Sequence, residues 1–470
     1  MAETTRTDFL RTVGSAAAFA LLGRQAPAQR RDRPNILFFF PDQHRYDWIG
    51  EGSDIPVRTP NIDLLGRRGV RFRNCLTPSP LCAPARACLA AGKHYPRCGV
   101  KNNGEDYPLD QATFYALLRD AGYHVLGCGK FDLHKATRDW GLDGKRLVRQ
   151  WGFSDGIDNA GKWDAIGSGS RNPKDPYMHF LQQKGLLETH VADFRKRRSK
   201  AATHPTPLPE EAYCDNWIAR NGLQLLDRVP RGKPWFLQVN FAGPHSPWDV
   251  TRRMAQLYRG VDFPQPNRCP KFAPSTHVRI RRNYAAMVEN IDRWLGIYME
   301  WLARRGELGR TLVVFSSDHG EMLGDHGRWG KSVPYHPSVA VPLAVAGPGA
   351  EAIGASDALV SVTDLAATFL DAAGVPVPEA MDSRSLVPVL TGRAESHRQH
   401  LRSGLNAWRL VFDGRYKLVA GFPVPRRKGR EAAEAPPLLF DLEADPLENE
   451  NVAEKQPRTV ARLAPLLWPA

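Results

Sequence analysis

Four apolar runs rich in β-branched and aromatic residues end abruptly in polar residues, and this pattern limits the possible folds more than any other feature. The runs cover residues 35–40, 123–127, 235–241 and 311–315. Segments with helical periodicity lie between and around them, including residues 114–121, 215–226 and 280–304. This alternation predicts an α/β fold in which a large, mostly parallel sheet is flanked by helices on both faces. The carboxyl ends of parallel strands share one edge of the sheet, where ligands bind.

The pattern changes beyond about residue 395. Residues 408–412 and 415–419 flank Asp413-Gly414, a turn pair typical of a β-hairpin, and residues 438–442 form another short apolar run. We therefore predict a small C-terminal subdomain with an antiparallel sheet and α+β character over residues 395–470. A catalytic α/β domain is predicted over residues 29–394, since a chain of 470 residues is long enough for two domains.

The N-terminus has the order of features found in export signals. Arg6 and Arg11 flank an apolar pair, residues 16–22 are apolar, and Ala26-Pro27-Ala28 offers a small-residue cleavage site. Residues 1–28 are predicted to form an export signal that resembles a twin-arginine signal; a disordered tail is the alternative. We expect a periplasmic or extracellular protein without a transmembrane segment, because the apolar run is too short to span a bilayer.

An excess of positive charge favours an anionic substrate. The formal net charge is +14, and nucleic acid is not an expected partner because the sequence lacks zinc-finger and RNP-type motifs. A basic cluster precedes three closely spaced prolines, and we expect it to form a loop at the rim of the site that guides a polyanionic substrate. A solvated charge run is the alternative. The cluster consists of Arg195, Lys196, Arg197, Arg198 and Lys200.

Cys82 begins a segment that combines a nucleophile, a helix start and a cation. Pro84 suits the first helical position, and Gly92 can end the helix. Cys82 would then lie at a helix N-terminus, where unpaired N–H groups and the dipole favour an anion and lower a thiol pKa. Arg86 is unfavourable at this positive helix end unless an anion such as sulfate or phosphate lies beside it. A buried structural cysteine is the alternative.

Asp42 and Asp318 each follow a predicted strand directly. Because the carboxyl ends of these strands would lie at one edge of the sheet, the two carboxylates would converge. Hard oxygen ligands suit a divalent cation such as Ca²⁺ or Mg²⁺. Gln43 and His319, which follow them in the sequence, are further candidate ligands. Each acid alone would also suit a turn, whereas the pair favours a metal site.

These motifs together resemble the type I sulfatases of the alkaline-phosphatase-like superfamily. Cys82-x-Pro84-x-Arg86, followed by Leu89 and Gly92, is similar to the sulfatase signature. Further motifs occur in the family's order and extend the resemblance over nearly all of the chain beyond residue 28. They lie at residues 34–36, 42–43, 129–130, 244–245, 317–320, 330–331, 439–442 and 445–448.

The resemblance implies a modified residue and a set of metal ligands. Cys82 would be oxidised to formylglycine (3-oxoalanine) by a formylglycine-generating maturation enzyme. Asp42, Gln43, Asp318 and His319 would bind the metal together with the modified Cys82. Ca²⁺ is the expected ion, with Mg²⁺ as the alternative. Conversion leaves six of the seven cysteines, and the sequence does not decide how they pair.

The chemistry of sulfate esters explains why the site needs fixed cations. Cleavage places negative charge on the leaving oxygen and on the sulfuryl oxygens. Arg86, Lys130 and Lys331 are expected to stabilise that charge together with the metal. A hydrated formylglycine offers one hydroxyl to attack sulfur and a second whose deprotonation expels sulfate and restores the aldehyde.

Two histidines are candidates for proton transfer. His245 resembles the family histidine near the leaving-group oxygen and is the expected general acid. Asp132 stands where the family often has a histidine. His134 would supply the imidazole instead, or Asp132 would orient a neighbouring base.

The sequence thus predicts a sulfuric ester hydrolase, with sulfated carbohydrate as the favoured substrate class. A phosphonate or phosphate ester hydrolase of the same superfamily is one alternative, because Asp42-Gln43 followed by Arg45 and Asp47 also resembles that branch. A catalytically silent protein that binds sulfated glycans is the other. Relative turnover of sulfate and phosphate esters, and the chemical state of Cys82, distinguish the three.

Overall fold

The computed structural model describes residues 33–423 and 436–468, so the predicted export signal lies outside the described residues. The first eight strands are β1 (Asn35–Phe39), β2 (Val70–Leu76), β3 (His124–Gly129), β4 (Asp155–Asp158), β5 (Trp235–Asn240), β6 (Thr311–Ser316), β7 (Leu343–Ala346) and β8 (Gly354–Ser361). They form one sheet in the order β4-β3-β5-β1-β6-β7-β2-β8. Only β7 is antiparallel to its neighbours in this sheet of the described residues. The predicted large, mostly parallel sheet is confirmed.

Helices cover both faces of this sheet. In chain order they are α1 (Pro60–Arg68), α2 (Cys82–Ala91), α3 (Phe114–Asp120), α4 (Lys162–Gly169), α5 (Pro176–Gln183), α6 (Leu187–Lys196), α7 (Cys214–Asp227), α8 (Arg252–Leu257), α9 (Pro274–Arg304), α10 (His336–Val339), α11 (Asp364–Ala372), α12 (Val387–Leu390) and α13 (Pro457–Leu463). Ile36 and Phe38 of β1 pack in the core that contains α2, α3 and α11. Leu37 and Phe39 pack on the opposite face, with α1, α7 and α9. A continuous apolar strand is therefore buried on both sides, as expected for a covered parallel sheet.

The order of the strands brings the predicted site residues to one edge. β1 lies between β5 and β6, and β3 lies beside β5. Asp42, Lys130, His245 and Asp318 follow β1, β3, β5 and β6 respectively. Gly129, at φ 111°, allows the close approach of β3 to β5, because a Cβ there would lie 1.9 Å from the Asn240 carbonyl oxygen.

Three helix boundaries differ from the sequence-based expectations. Helix α2 begins at Cys82 itself, so Pro84 is its third residue; Gly92 ends it as predicted, at φ 63°. Helix α9 begins at Pro274 rather than at residue 280. The basic cluster does not lie wholly in a loop, because α6 continues through Arg195 and Lys196. Two basic side chains in the last turn complement the negative end of the helix dipole, which explains this extension.

A second sheet forms the C-terminal part of the chain. Its strands are β9 (Leu401–Leu405), β10 (Trp408–Phe412), β11 (Tyr416–Ala420) and β12 (Leu438–Asp441), in the order β12-β11-β10-β9. All three pairings are antiparallel, which confirms the predicted antiparallel sheet. The sheet begins at Leu401, and the division of the chain at residue 395 stays a prediction.

The C-terminal sheet packs directly on the larger part of the fold. Leu410 and Phe412 of β10 belong to the same core as Ile36 and Phe38 of β1. Lys417 of β11 is fully buried, forms an ion pair with Glu448 and donates a hydrogen bond to the Pro334 carbonyl oxygen, 2.7 Å away. Within the described residues, no helix combines the length and apolar character needed to cross a membrane.

Candidate active site

Four buried side chains converge at the carboxyl ends of β1 and β6. Donor atoms of Asp42, Cys82, Asp318 and His319 all lie within 4.8 Å of one another. Imidazole Nε2 of His319 is 3.2 Å from Cys82 Sγ, 3.5 Å from Asp42 Oδ1 and 3.6 Å from Asp318 Oδ2. The sequence-based convergence of Asp42 and Asp318 is therefore observed, and α2 places Cys82 between them.

The chemistry of this donor set fits a divalent cation. Two carboxylates and an imidazole close enough to share one ion are common ligands of such metals. Gln43 lies beside them: its backbone N–H donates to Asp318 Oδ1 at 3.0 Å. Its side-chain amide donates to Glu321 and accepts from Lys331. Gln43 is thus held at the site, and its amide oxygen faces Lys331.

Fixed cations surround the carboxylates. Lys130, which is 2% exposed, contacts Asp42 and lies 2.9 Å from Asp132 Oδ2. Arg86 Nε donates to Asp318 Oδ2 at 2.9 Å. The Nη2 atom of Arg86 is buried and has no hydrogen-bond partner among the described residues. A guanidinium held on one side and free on the other is suited to bind an anionic substrate oxygen.

Charges control the titration of the central groups. Burial and Asp42 would raise the pKa of the Cys82 thiol, but the charges of Lys130, Lys331 and His319 lower it to about 7. Burial would also raise the pKa of Asp42, yet Lys130 and the other nearby cations hold it well below its usual value. The site therefore stabilises negative charge at both positions.

His245 lies beside the same charges. Its Nδ1 donates to the Ser246 carbonyl oxygen. Asp215 Oδ1 accepts from the backbone N–H groups of Ala242 and Gly243, at 2.9 and 3.0 Å, and so fixes the segment that precedes this histidine. Burial, followed by the charge of Lys331, lowers the pKa of His245 well below its usual value. Burial and the adjacent cations therefore favour the neutral imidazole.

The structure places His134 beside Asp106, and a catalytic role for this histidine stays a prediction. Its Nδ1 lies 3.6 Å from Asp106 Oδ2, and its buried Nε2 has no partner among the described residues. Lys135 instead meets Asp132, with 2.7 Å between Nζ and Oδ2. The backbone at Asp132 has a φ of 53°, in the left-handed region. The charges of Lys130 and Lys135 hold the pKa of this carboxyl below its usual value, although burial would raise it.

Sequence reasoning missed two residues of the site. Lys135 Nζ lies between Asp132 and Asp164, 2.7 and 2.8 Å away. Burial would lower the pKa of Lys135, but the charges of Asp132, Cys82 and Asp164 raise it. Glu321 is fully buried and orients Gln43. The run of polar residues after β3 is a signal that could have identified Lys135, whereas no local sequence pattern marks Glu321.

The structure also describes two further features of the sequence, Arg45 and the cysteines. Arg45, cited for the phosphonate branch, is buried and binds Asp47 and Asp325 at 2.7 and 2.5 Å. The seven cysteines all lie in the described residues and are free thiols.

The fold and this arrangement of side chains define a hydrolase of the alkaline-phosphatase-like superfamily, and comparisons with known proteins narrow the class. The family described as Sulfatase matches residues 34–375, and the one described as N-sulphoglucosamine sulphohydrolase, C-terminal, matches residues 324–464. The chain belongs to the sulfatase family and is a sulfatase.

Individual relatives agree with this assignment. The chain is 30% identical to a choline-sulfatase of Rhizobium meliloti over 454 residues, which cover 90% of this chain and 83% of the relative. It is 26% identical to an N-acetylglucosamine-6-O-sulfatase of Bacteroides thetaiotaomicron over 476 residues, with coverages of 90% and 83%. The structure of a phosphonate monoester hydrolase of Agrobacterium radiobacter shares the fold, with a TM-score of 0.74, 23% identity and coverages of 92% and 94%.

Proposed function

We propose that this sulfatase hydrolyses sulfate monoesters of a carbohydrate through a formylglycine formed from Cys82. The observation that carries the proposal is the position of Cys82: its sulfur is 3.2 Å from His319 and 3.8 Å from Asp42 Oδ1, in a pocket of fixed cations. A nucleophile in this position can attack sulfur while the surrounding charges stabilise the sulfuryl oxygens.

The proposed metal ligands are Asp42, Gln43, Asp318 and His319, together with the modified Cys82. Ca²⁺ is the proposed ion and Mg²⁺ the alternative. When bound, the cation would supply Lewis-acid stabilisation of the charge that develops on oxygen. Lys130 and Arg86 already neutralise part of the carboxylate charge, so the site accepts an anionic ester as well as a cation.

The protein's own side chains perform the remaining steps. Arg86 Nη2, Lys130 and Lys331 bind and orient the sulfate group. The negative charge of the bound sulfate group offsets the positive charge of Lys331 and so raises the proton affinity of His245. His245 Nε2, which is free because Nδ1 donates to Ser246, then carries the proton that the leaving alkoxide needs.

Maturation must precede folding. Cys82 is 1% exposed and Arg86 3%, so a formylglycine-generating enzyme cannot reach the thiol in the folded protein. We propose that the unfolded chain is the substrate of that enzyme, and that the protein is exported to the periplasm or beyond. Fractionation of the native host tests the location.

A carbohydrate substrate is supported by the net charge of +14 and by the similarity to an N-acetylglucosamine-6-O-sulfatase. The alternative, a phosphonate or phosphate ester hydrolase, is supported by the fold that this chain shares with the phosphonate monoester hydrolase. Arg45, one of the residues that suggested it, is occupied by Asp47 and Asp325 and is not free to select a phosphonate.

The test compares 4-nitrophenyl sulfate, phosphate and phenylphosphonate esters with the mature enzyme. We expect the highest kcat/KM for the sulfate and loss of turnover after exhaustive chelation, with recovery on adding Ca²⁺ or Mg²⁺. Higher kcat/KM for the phosphonate would overturn the substrate assignment. Full activity after chelation would overturn the metal assignment, and a Cys82→Ala protein provides the blank for both.

A further inference from the structure

A cleft of about 240 Å³ opens beside the active site and has no role in the chemistry described above. Its lining includes Trp163, Arg197, Arg198, Lys200, Ser246 and Trp248. Three of these residues belong to the basic cluster, and no acidic residue lines the cleft. Arg195 and Lys196, the two residues of the cluster that belong to α6, do not line the cleft.

The cleft is lined by the chain neighbour of the proposed general acid. Ser246 directly follows His245, and its Oγ accepts a hydrogen bond from Lys200 Nζ at 3.1 Å. Lys200 also lies close enough to Glu321 and Lys331 for their charges to act on it, although burial has the largest effect and lowers its pKa. A group bound in the cleft would therefore adjoin the substrate on the side of the proposed general acid.

Two of the three cations that line the cleft have no acidic partner among the described residues. Among the described residues, Arg198 and Lys200 form no ion pair. Arg197 is 2% exposed and pairs with Asp193 through Nε, while Nη1 and Nη2 are buried without hydrogen-bond partners. Unsatisfied N–H groups on a buried guanidinium are costly unless an acceptor reaches them, so this part of the chain favours an incoming anion.

Two tryptophans line the cleft, and Trp163 offers a surface for a sugar ring. Trp163 is half-buried and packs edge-on against Phe194, with 5.4 Å between ring centroids. Trp248 is buried and donates through Nε1 to the Lys200 carbonyl oxygen at 2.9 Å. Lys200 Nζ lies 5.9 Å from the centroid of Trp248, so the protein's own ammonium already occupies the cation position over that ring. A quaternary ammonium such as choline would meet repulsion here.

We propose that this cleft binds an anionic sugar unit next to the sugar that carries the scissile sulfate. Arg198 and Lys200 would bind its sulfate or carboxylate group, and Trp163 would pack against its ring. The proposal rests on the proposed function, because it assumes a saccharide substrate with more than one unit.

Binding is measured by calorimetry in the Cys82→Ala protein, which cannot turn substrate over. The probes are a carrageenan tetrasaccharide with sulfate only, a hyaluronan tetrasaccharide with carboxylate only, and neutral chitotetraose. Replacing Arg198 and Lys200 together by Met should weaken binding of at least one anionic probe about tenfold or more, a loss of about 1.4 kcal/mol or more. The affected probe identifies the anionic group.

The matched control replaces Arg195 and Lys196 together by Met. It removes the same charge from the same cluster but from side chains that do not line the cleft. We expect it to change binding less than about twofold, since exposed charges outside the cleft act only through the screened field. Trp163→Ala should weaken the anionic probes without changing their salt dependence.

Equal losses in both double variants, no loss in either, or no binding of any anionic probe would overturn the proposal. These outcomes do not depend on catalysis. Turnover of 4-nitrophenyl sulfate by the mature wild-type enzyme tests the proposed function separately. If turnover is present but the replacement of Arg198 and Lys200 does not change binding, only the cleft proposal fails.

Discussion

Asp318→Asn removes one charge from a buried ion pair of the site while keeping the side chain's size. Asp318 is 0% exposed and its partner Arg86 3%, with 2.9 Å between Oδ2 and Nε. Oδ1 accepts from the backbone N–H groups of Gln43 and His319 at 3.0 and 2.9 Å. All three neighbours donate hydrogen bonds, so an amide NH₂ at this position must face a donor.

The expected cost follows from that geometry. Leaving Arg86 buried without its carboxylate should lower the free energy of unfolding by about 3–5 kcal/mol. Loss of the proposed metal ligand should lower kcat/KM by roughly 100-fold or more. A bound metal contributes several kcal/mol to transition-state stabilisation, and each loss of about 1.4 kcal/mol lowers the rate about tenfold. Urea unfolding with and without chelator separates the contribution of the ion pair to the free energy of unfolding from that of the metal. Elemental analysis gives the metal content.

Asp357→Asn is the matched control. Asp357 is 73% exposed and pairs with Arg73 at 2.9 Å on the surface. The same substitution there should cost less than about 1 kcal/mol and leave turnover unchanged. Our reasoning about Asp318 is refuted if its Asn variant unfolds within about 1 kcal/mol of the wild type and retains metal and activity.

Three further predictions concern other parts of the molecule. Cys82→Ala should abolish turnover while the urea midpoint changes little, because alanine suits a helix start but cannot form the aldehyde; measurable kcat in the purified variant would contradict this. Lys417→Met should destabilise by about 3–5 kcal/mol, because it leaves fully buried Glu448 unpaired, and a loss below about 1 kcal/mol in urea unfolding would refute it. Burial raises the pKa of Asp292 to about 7 in the folded protein, compared with about 4 in the unfolded chain. The folded state therefore holds the proton of Asp292 more tightly. This proton stabilises the fold fully below about pH 4, and its contribution is lost as the pH rises through about 7. Asp292→Asn should therefore reduce the fall in urea midpoint between about pH 5 and about pH 8, and an unchanged pH profile would count against it.

The central sheet could be predicted because its strands carry their own evidence. Ile36 through Phe39 are all fully buried, and a run that is buried on both faces must be apolar throughout. The polar residues at the strand ends then followed from topology, since Asp42 and Asp318 occupy neighbouring strands β1 and β6. The fold and the convergence of Asp42 and Asp318 were therefore accessible from the sequence.

The surrounding side chains were less accessible because their partners are distant in the chain. Glu321 meets Gln43 across 278 residues, and no periodicity records such a contact. Lys135 was overlooked because the sequence alone does not show which neighbouring side chain pairs with Asp132. The extent of α6 was missed for a similar reason, since the prolines that suggested a loop follow the helix rather than interrupt it.

The most direct test of the account is the chemical state of residue 82 in protein purified from its native host. Mass spectrometry of the peptide that contains Cys82, with and without a hydrazide reagent, distinguishes an aldehyde from a thiol. We predict an aldehyde at residue 82, in a fraction of molecules that matches the fraction active on 4-nitrophenyl sulfate. An unmodified thiol in fully active enzyme would contradict the proposed nucleophile.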